Sequence, residues 1–137
     1  MNTRNFLKIV IYSILLSPLT NIVADTLITG EWKGTFISQN NKSYKIKYNV
    51  SYNNIDENKD LKIEMINLDL EPMPDYTYQL KDIKIKNSTL SFNIPREHDT
   101  KHCTLEKQED KSYTGKCLSD QADNGEPSKI SMSPPKE

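Results

Sequence analysis

Glycine and arginine are the shortages that say most about this chain. Of 137 residues four are Gly, and Arg occurs only at positions 4 and 96. So few glycines leave no phosphate-cradling Gly loop, and neither a nucleophile elbow nor a zinc-protease motif is present. Basic and acidic side chains nearly cancel, 18 against 19. Phosphate contacts need a clustered basic face, so nucleic acid is excluded as a partner. Long apolar runs are missing as well. The longest, residues 9–16, has eight residues, against about 20 for a spanning helix, so no membrane span is expected in the mature chain. Cysteine and histidine occur twice each and tryptophan once.

What is there begins with the N-terminus. Arg4 and Lys8 precede the apolar core, Pro18 and Asn21 interrupt the segment after it, and Ala24 puts a small residue before Asp25. That order of parts reads as a secretory signal peptide over residues 1–24, with an uncleaved N-terminal anchor as the alternative. Residues 25–137 are then one domain, with 16 bases and 19 acids. Its expected location is secreted or periplasmic, an oxidising compartment.

Period-2 alternation dominates from residue 30 onward, and no long stretch carries a helical period. Tyr44 to Tyr52 is apolar or aromatic at every even position and polar at every odd one, which predicts a strand with one buried face. Glu31 to Ile37 reads as a first strand with Trp32 and Phe36 on one face. Asn53 to Asp60 reads as a polar loop. The phase changes between Met65 and Ile66, and again between Leu80 and Ile83, predict bulges or strand ends. Glu71 to Asp75, with two prolines, is a loop. Asn87-Ser88 is a tight turn into Leu90, Phe92 and Ile94. Lys101 to Lys107 and Ser112 to Leu118 flank a hairpin loop, Ala122 to Gly125 is a turn, and Ile130 with Met132 marks the last strand. About eight consecutive strands joined by short turns predict an all-β fold: a single up-and-down antiparallel barrel, whose closure removes exposed edges.

Cys103 and Cys117 lie symmetrically about Asp110. A hairpin centred there places them opposite each other, and an even count in an oxidising compartment favours a disulfide. The competing reading is two buried thiols. His98 and His102, four apart beside Glu97, Asp99 and Cys103, have a spacing that can ligate zinc on a helix; Pro95 and the strand context favour a solvated loop instead, and no metal is expected. Asp69, Glu71 and Asp75 lack the spacing and turn Gly of a calcium loop. Tyr44, Tyr48 and Tyr52 share one face of one strand, either as the wall of a ligand cavity or as a half-polar packed core. Lys45, Lys47, Lys84 and Lys86 read as wet strand faces. Three Asn-x-Ser/Thr acceptor patterns start at Asn41, Asn49 and Asn87, and bear on glycosylation only in a eukaryotic host.

Gly30-Glu31-Trp32-Lys33-Gly34 at the head of the first strand, with the late Tyr113-Thr114-Gly115, resembles the Gly-x-Trp pattern of lipocalins and the wider calycins, and of small calycin-like domains exported by bacteria. The resemblance implies a meander barrel with Trp32 plugging its closed end. An Arg from a late strand over the Trp is absent here, as is the Thr-Asp-Tyr element, so no ligand class is carried over.

The function these features imply is a binding module that holds a small hydrophobic or amphipathic ligand, with Trp32, Tyr44, Tyr48 and Tyr52 as candidate lining. The alternative is a secreted or periplasmic inhibitor that grips a protein partner through loops such as Glu71–Asp75 and Arg96–Thr100. No catalytic residue and no cofactor is expected.

Overall fold

The computed structural model describes residues 26–55, 58–70, 77–121 and 126–136. The proposed signal peptide, the Glu71 to Asp75 loop and the Ala122 to Gly125 turn therefore lie outside the described residues. Nine strands follow in order: β1 Gly30–Ile37, β2 Ser43–Ile55, β3 Asn58–Asn67, β4 Thr77–Gln79, β5 Lys81–Lys86, β6 Thr89–Pro95, β7 Thr100–Lys107, β8 Tyr113–Ser119 and β9 Ser128–Met132. They form one sheet in the order β4-β3-β2-β1-β9-β8-β7-β6-β5, and every pairing is antiparallel. The first and last strands meet, so the sheet curls into a nearly closed up-and-down barrel.

Nine strands rather than eight arise because Leu80 alone separates β4 from β5. β4 pairs back to β3 and β5 pairs onward to β6, so the run from Thr77 to Lys86 serves both edges of the opening. The phase change expected there is a register shift between Lys81 and Lys84, with Asp82 at a φ of 51°. The earlier one, after Met65, is a strand end: β3 stops at Asn67 and a 3-10 turn, Leu68–Leu70, comes next.

The polar run from Asn53 to Asp60 corrects the expected loop. β2 continues to Ile55 and β3 begins at Asn58, with Asn53 opposite Asp60 and Asn54 opposite Lys59. Ladder hydrogen bonds need no apolar side chain, so a two-stranded ribbon extends past the edge of the core. Two further hairpin turns each place a non-glycine residue at positive φ. Asn87 takes a φ of 59° between β5 and β6, a conformation Asn tolerates. Between β7 and β8, Lys111 takes a φ of 70°, and Asp110 accepts the Ser112 backbone N–H at 3.0 Å and its hydroxyl. The Ser112 hydroxyl, then its backbone N–H, hold the Asp110 carboxyl below its usual range.

Cys103 faces Cys117 directly across β7 and β8, and the two form a disulfide with Cα atoms 4.0 Å apart. Both are buried in the core with Phe92, Leu105, Tyr113 and Ile130.

The barrel closes where β1 meets β9. Phe36 pairs with Ile130, and Lys33 exchanges two backbone hydrogen bonds with Ser133 at 3.1 and 2.6 Å. Between those points lies Gly34, where a β-carbon would run into the Ser131 carbonyl oxygen. Gly115 is held the same way against the Thr104 carbonyl of β7. Both glycines of the Gly-x-Trp-x-Gly and Tyr-x-Gly runs at these points thus permit backbone approaches that no other residue allows.

Candidate functional site

The period-2 geometry of β2 puts Tyr44, Tyr48 and Tyr52 on the inner face, as expected. It also separates each from the next by four residues, ~13 Å along the strand. They therefore occupy three levels of the barrel and do not converge.

Tyr48 fills the middle level. It sits opposite Trp32 in the β1–β2 ladder, and the two are 0 % and 2 % exposed. The Tyr48 hydroxyl donates to the Ser131 carbonyl at 3.2 Å, reaching the seam that Gly34 leaves open. Burial pushes its phenol well above the ordinary tyrosine range. The Trp32 indole N–H donates to the Ile28 carbonyl at 2.8 Å, and its ring lies 6.1 Å from that of Tyr113. Trp32 and Tyr48 are thus packing residues, each with its polar tip satisfied, and the centre of the lumen is filled.

Tyr52 marks one end. Its hydroxyl accepts from the Leu27 N–H and donates to the Leu27 carbonyl, both at 3.0 Å. This clamps the segment before β1 across the barrel, with Leu27 buried beneath. Beside it a cleft of about 950 Å³ runs between β3 and β5 past Leu61, Leu80 and Ile83. Thr26, Asp60, Lys81 and Asp82 along it are exposed, so the cleft is an open side rather than an enclosure.

Tyr44 marks the other end, beside a cavity of about 190 Å³. Phe36, Ile46, Met65, Tyr78 and Ile94 supply its apolar wall, and Arg96 and Lys101 its charge. Of the described lining residues only Arg96 is exposed. Lys101 occupies an inward position of β7, in phase with Cys103 and Leu105, and is buried. Arg96 is fixed by a turn: its N–H donates to the Asp99 carbonyl at 2.9 Å, and its Nε lies 3.5 Å from the Asp99 carboxylate. Asp99 is held in turn by the Ser119 hydroxyl at 2.7 Å.

Of the four residues singled out from the sequence, Tyr44 alone lines this cavity. Arg96, Lys101, Phe36 and Tyr78 were missed because they come from four strands or loops whose meeting depends on barrel closure. One signal was available: Lys101 shares the inward parity of Cys103, an odd place for a cation.

The other candidate clusters do not assemble. His98 is in the exposed turn, whereas His102 lies on the outer face of β7, its Nδ1 2.7 Å from the Asn93 side-chain oxygen. Among the described residues no group of three or more His, Cys, Asp or Glu is placed to hold a metal. Asp69 accepts the Lys45 N–H at 2.7 Å, while Glu71 and Asp75 lie outside the described residues. Both cysteines are oxidised, so neither is a thiolate nucleophile. Among the described residues no helix is long and apolar enough to cross a membrane. Comparison with family models, with curated proteins and with solved structures finds no match to this chain.

Proposed function

We propose that this protein is a binding module that holds a small apolar or amphipathic ligand in the cavity at the Tyr44 end of the barrel. The observation that carries this reading is the cavity itself: about 190 Å³ of partly open space with a largely apolar lining, at one end of a barrel whose middle is filled. Ligand sites are concave, mostly apolar and carry a few polar groups that fix orientation, and this wall has that composition. A volume below the usual range of such sites restricts the guest to roughly one ring with a short substituent, since an apolar cavity of about 150 Å³ takes up benzene.

The reading includes export to the periplasm or the extracellular space. The buried Cys103–Cys117 bond is compatible with an oxidising compartment, and the N-terminal order of basic, apolar and small residues supports it. The calycin likeness is supported by the ring contact between Trp32 and Tyr113 and by the backbone approaches at Gly34 and Gly115. One observation favours the second reading, an inhibitor acting through its loops. The Arg96 to Thr100 turn is braced by Gln121 donating to the His98 carbonyl at 2.8 Å and by Asp120 accepting the Thr100 N–H at 3.1 Å, which would present it rigidly.

Native mass spectrometry of the protein purified from its own source separates these readings. A small molecule that stays bound in the native spectrum and leaves on denaturation is the expected result. Bare protein in every preparation, together with a co-purifying protein partner, would favour the inhibitor.

A further inference from the structure

We propose that the cleft between β3 and β5 is a second binding site, which takes an extended peptide segment as an added strand. This site is independent of the Tyr44 cavity at the other end of the barrel. Its basis is main-chain hydrogen-bonding capacity that the sheet leaves unused.

The edge strands of the sheet are β4 and β5, separated in sequence by Leu80. β4 covers β3 from Glu64 to Ile66, and one further bond runs from the Leu80 N–H to the Ile63 carbonyl at 3.0 Å. That bond fixes the parity of the β3 edge. Successive residues of an antiparallel strand turn their N–H and C=O to opposite sides, so Leu61, like Ile63, turns both away from β2 and into the cleft. The parity of β5 follows from its turn. Asn87 and Ser88 form a two-residue hairpin loop, so Lys86 and Thr89 are a hydrogen-bonded pair, as are Lys84 and Ser91. Ile83 and Ile85 therefore turn their main-chain groups away from β6, toward the cleft from its other side. Among the described residues no hydrogen bond takes up these groups of Leu61, Ile83 or Ile85.

These unused groups specify the guest. The side chains of Leu61, Ile83 and Ile85 pack against the core and Leu80 is buried, so the floor is apolar while both walls carry main-chain donors and acceptors. A hydrocarbon guest would leave the walls unpaired. A second folded copy brings one free sheet edge and satisfies one wall. A single extended segment has two edges, and lying in the cleft it engages both walls. β3 and β5 run in opposite directions in this all-antiparallel sheet, so the guest runs antiparallel to one and parallel to the other. Strand geometry puts every second side chain of the guest over the apolar floor and the rest into solvent. The class is thus a segment of about four to six residues, apolar at alternate positions, bound by strand addition.

The test follows the ¹⁵N-labelled protein by NMR. The probe is the acetylated and amidated hexapeptide Thr-Val-Thr-Val-Thr-Val. The control is the same peptide N-methylated at its valines, which keeps the side chains and removes the donors along one edge. Before peptide is added, the Leu61 and Ile85 amides should exchange with solvent about tenfold faster, or more, than those of Lys62 and Lys84, which face ladder partners. The hexapeptide should then shift Leu61, Ile83 and Ile85 saturably and slow their exchange, and the N-methylated control should bind about tenfold more weakly. Slow exchange at Leu61 and Ile85 in the peptide-free protein would show that the chain itself already occupies these edges, and would overturn the proposal. Equal binding of the two peptides would reduce the site to apolar contact and overturn strand addition. Resonances that millimolar hexapeptide leaves unmoved would overturn it as well, and none of these results bears on the Tyr44 cavity.

Discussion

Tyr48 carries a pH signature that no packing argument alone would show. Its phenol is buried and hydrogen-bonded to Ser131, and burial raises its pKa above the ordinary value near 10. The contribution is fully present below that unfolded value and is lost as pH rises, because the unfolded chain ionises while the folded one resists. Stability should fall above pH ~10 by up to ~1.4 kcal/mol per pH unit. Tyr48→Phe should lack that slope while losing ~1 kcal/mol at neutral pH for the missing hydrogen bond. Urea titrations of both proteins at pH 8, 10 and 11 measure the difference, and parallel curves would show a solvated phenol. At the same level of the barrel, Trp32→Ala should cost ~3–5 kcal/mol, the range for a large core aromatic. An unchanged urea midpoint would contradict its burial. These residues also show what a sequence can say at this scale. Alternation assigns Tyr44, Tyr48 and Tyr52 to the inner face correctly. It says nothing of depth along the barrel axis, which depends on the stagger of neighbouring strands, so one row divides into a core residue and two end residues.

Among elements, the β7–β8 hairpin was the most legible. A polar four-residue segment and two cysteines equidistant from its centre specify one register, although Lys101 on one arm points inward and Leu118 on the other points outward. Cys103 stands opposite Cys117. The bond closes a loop of 14 residues' separation, and its chain-entropy contribution is ~3 kcal/mol. Cys103→Ser with Cys117→Ser should lower stability by about that amount, read from the urea midpoint. Intact mass after alkylation without reductant should show no modified thiol in the unmodified protein. Two alkylated cysteines there would defeat the assignment. The ribbon from Asn53 to Asp60 was illegible for the opposite reason. The register there is known from its backbone ladder, and a pattern built on apolar burial has nothing to read in Asn53, Asn54, Lys59 and Asp60. The split at Leu80 lies between these cases, since the phase change was visible but its division of one run into β4 and β5 needed both neighbours.

At the scale of the molecule, the up-and-down order was readable because short turns leave each strand no partner but the next. The cavity was not, because Phe36, Tyr78, Arg96 and Lys101 meet only once the barrel is curled. Curling depends on a single distant pairing. That pairing is β1 with β9: Lys33 and Ser133 exchange two backbone hydrogen bonds at 3.1 and 2.6 Å, and the Thr35 N–H donates to the Ser131 hydroxyl at 3.0 Å across 96 residues of sequence. A fold closed by its most non-local contact has high contact order, and such all-β domains fold in milliseconds to seconds rather than microseconds. Stopped-flow refolding followed by Trp32 fluorescence should relax in that window, and a microsecond phase of full amplitude would show that closure is not limiting. The same closure makes the last strand the one that completes the molecule: until β9 pairs with β1, β1 keeps an open edge and the core lies uncovered along that seam.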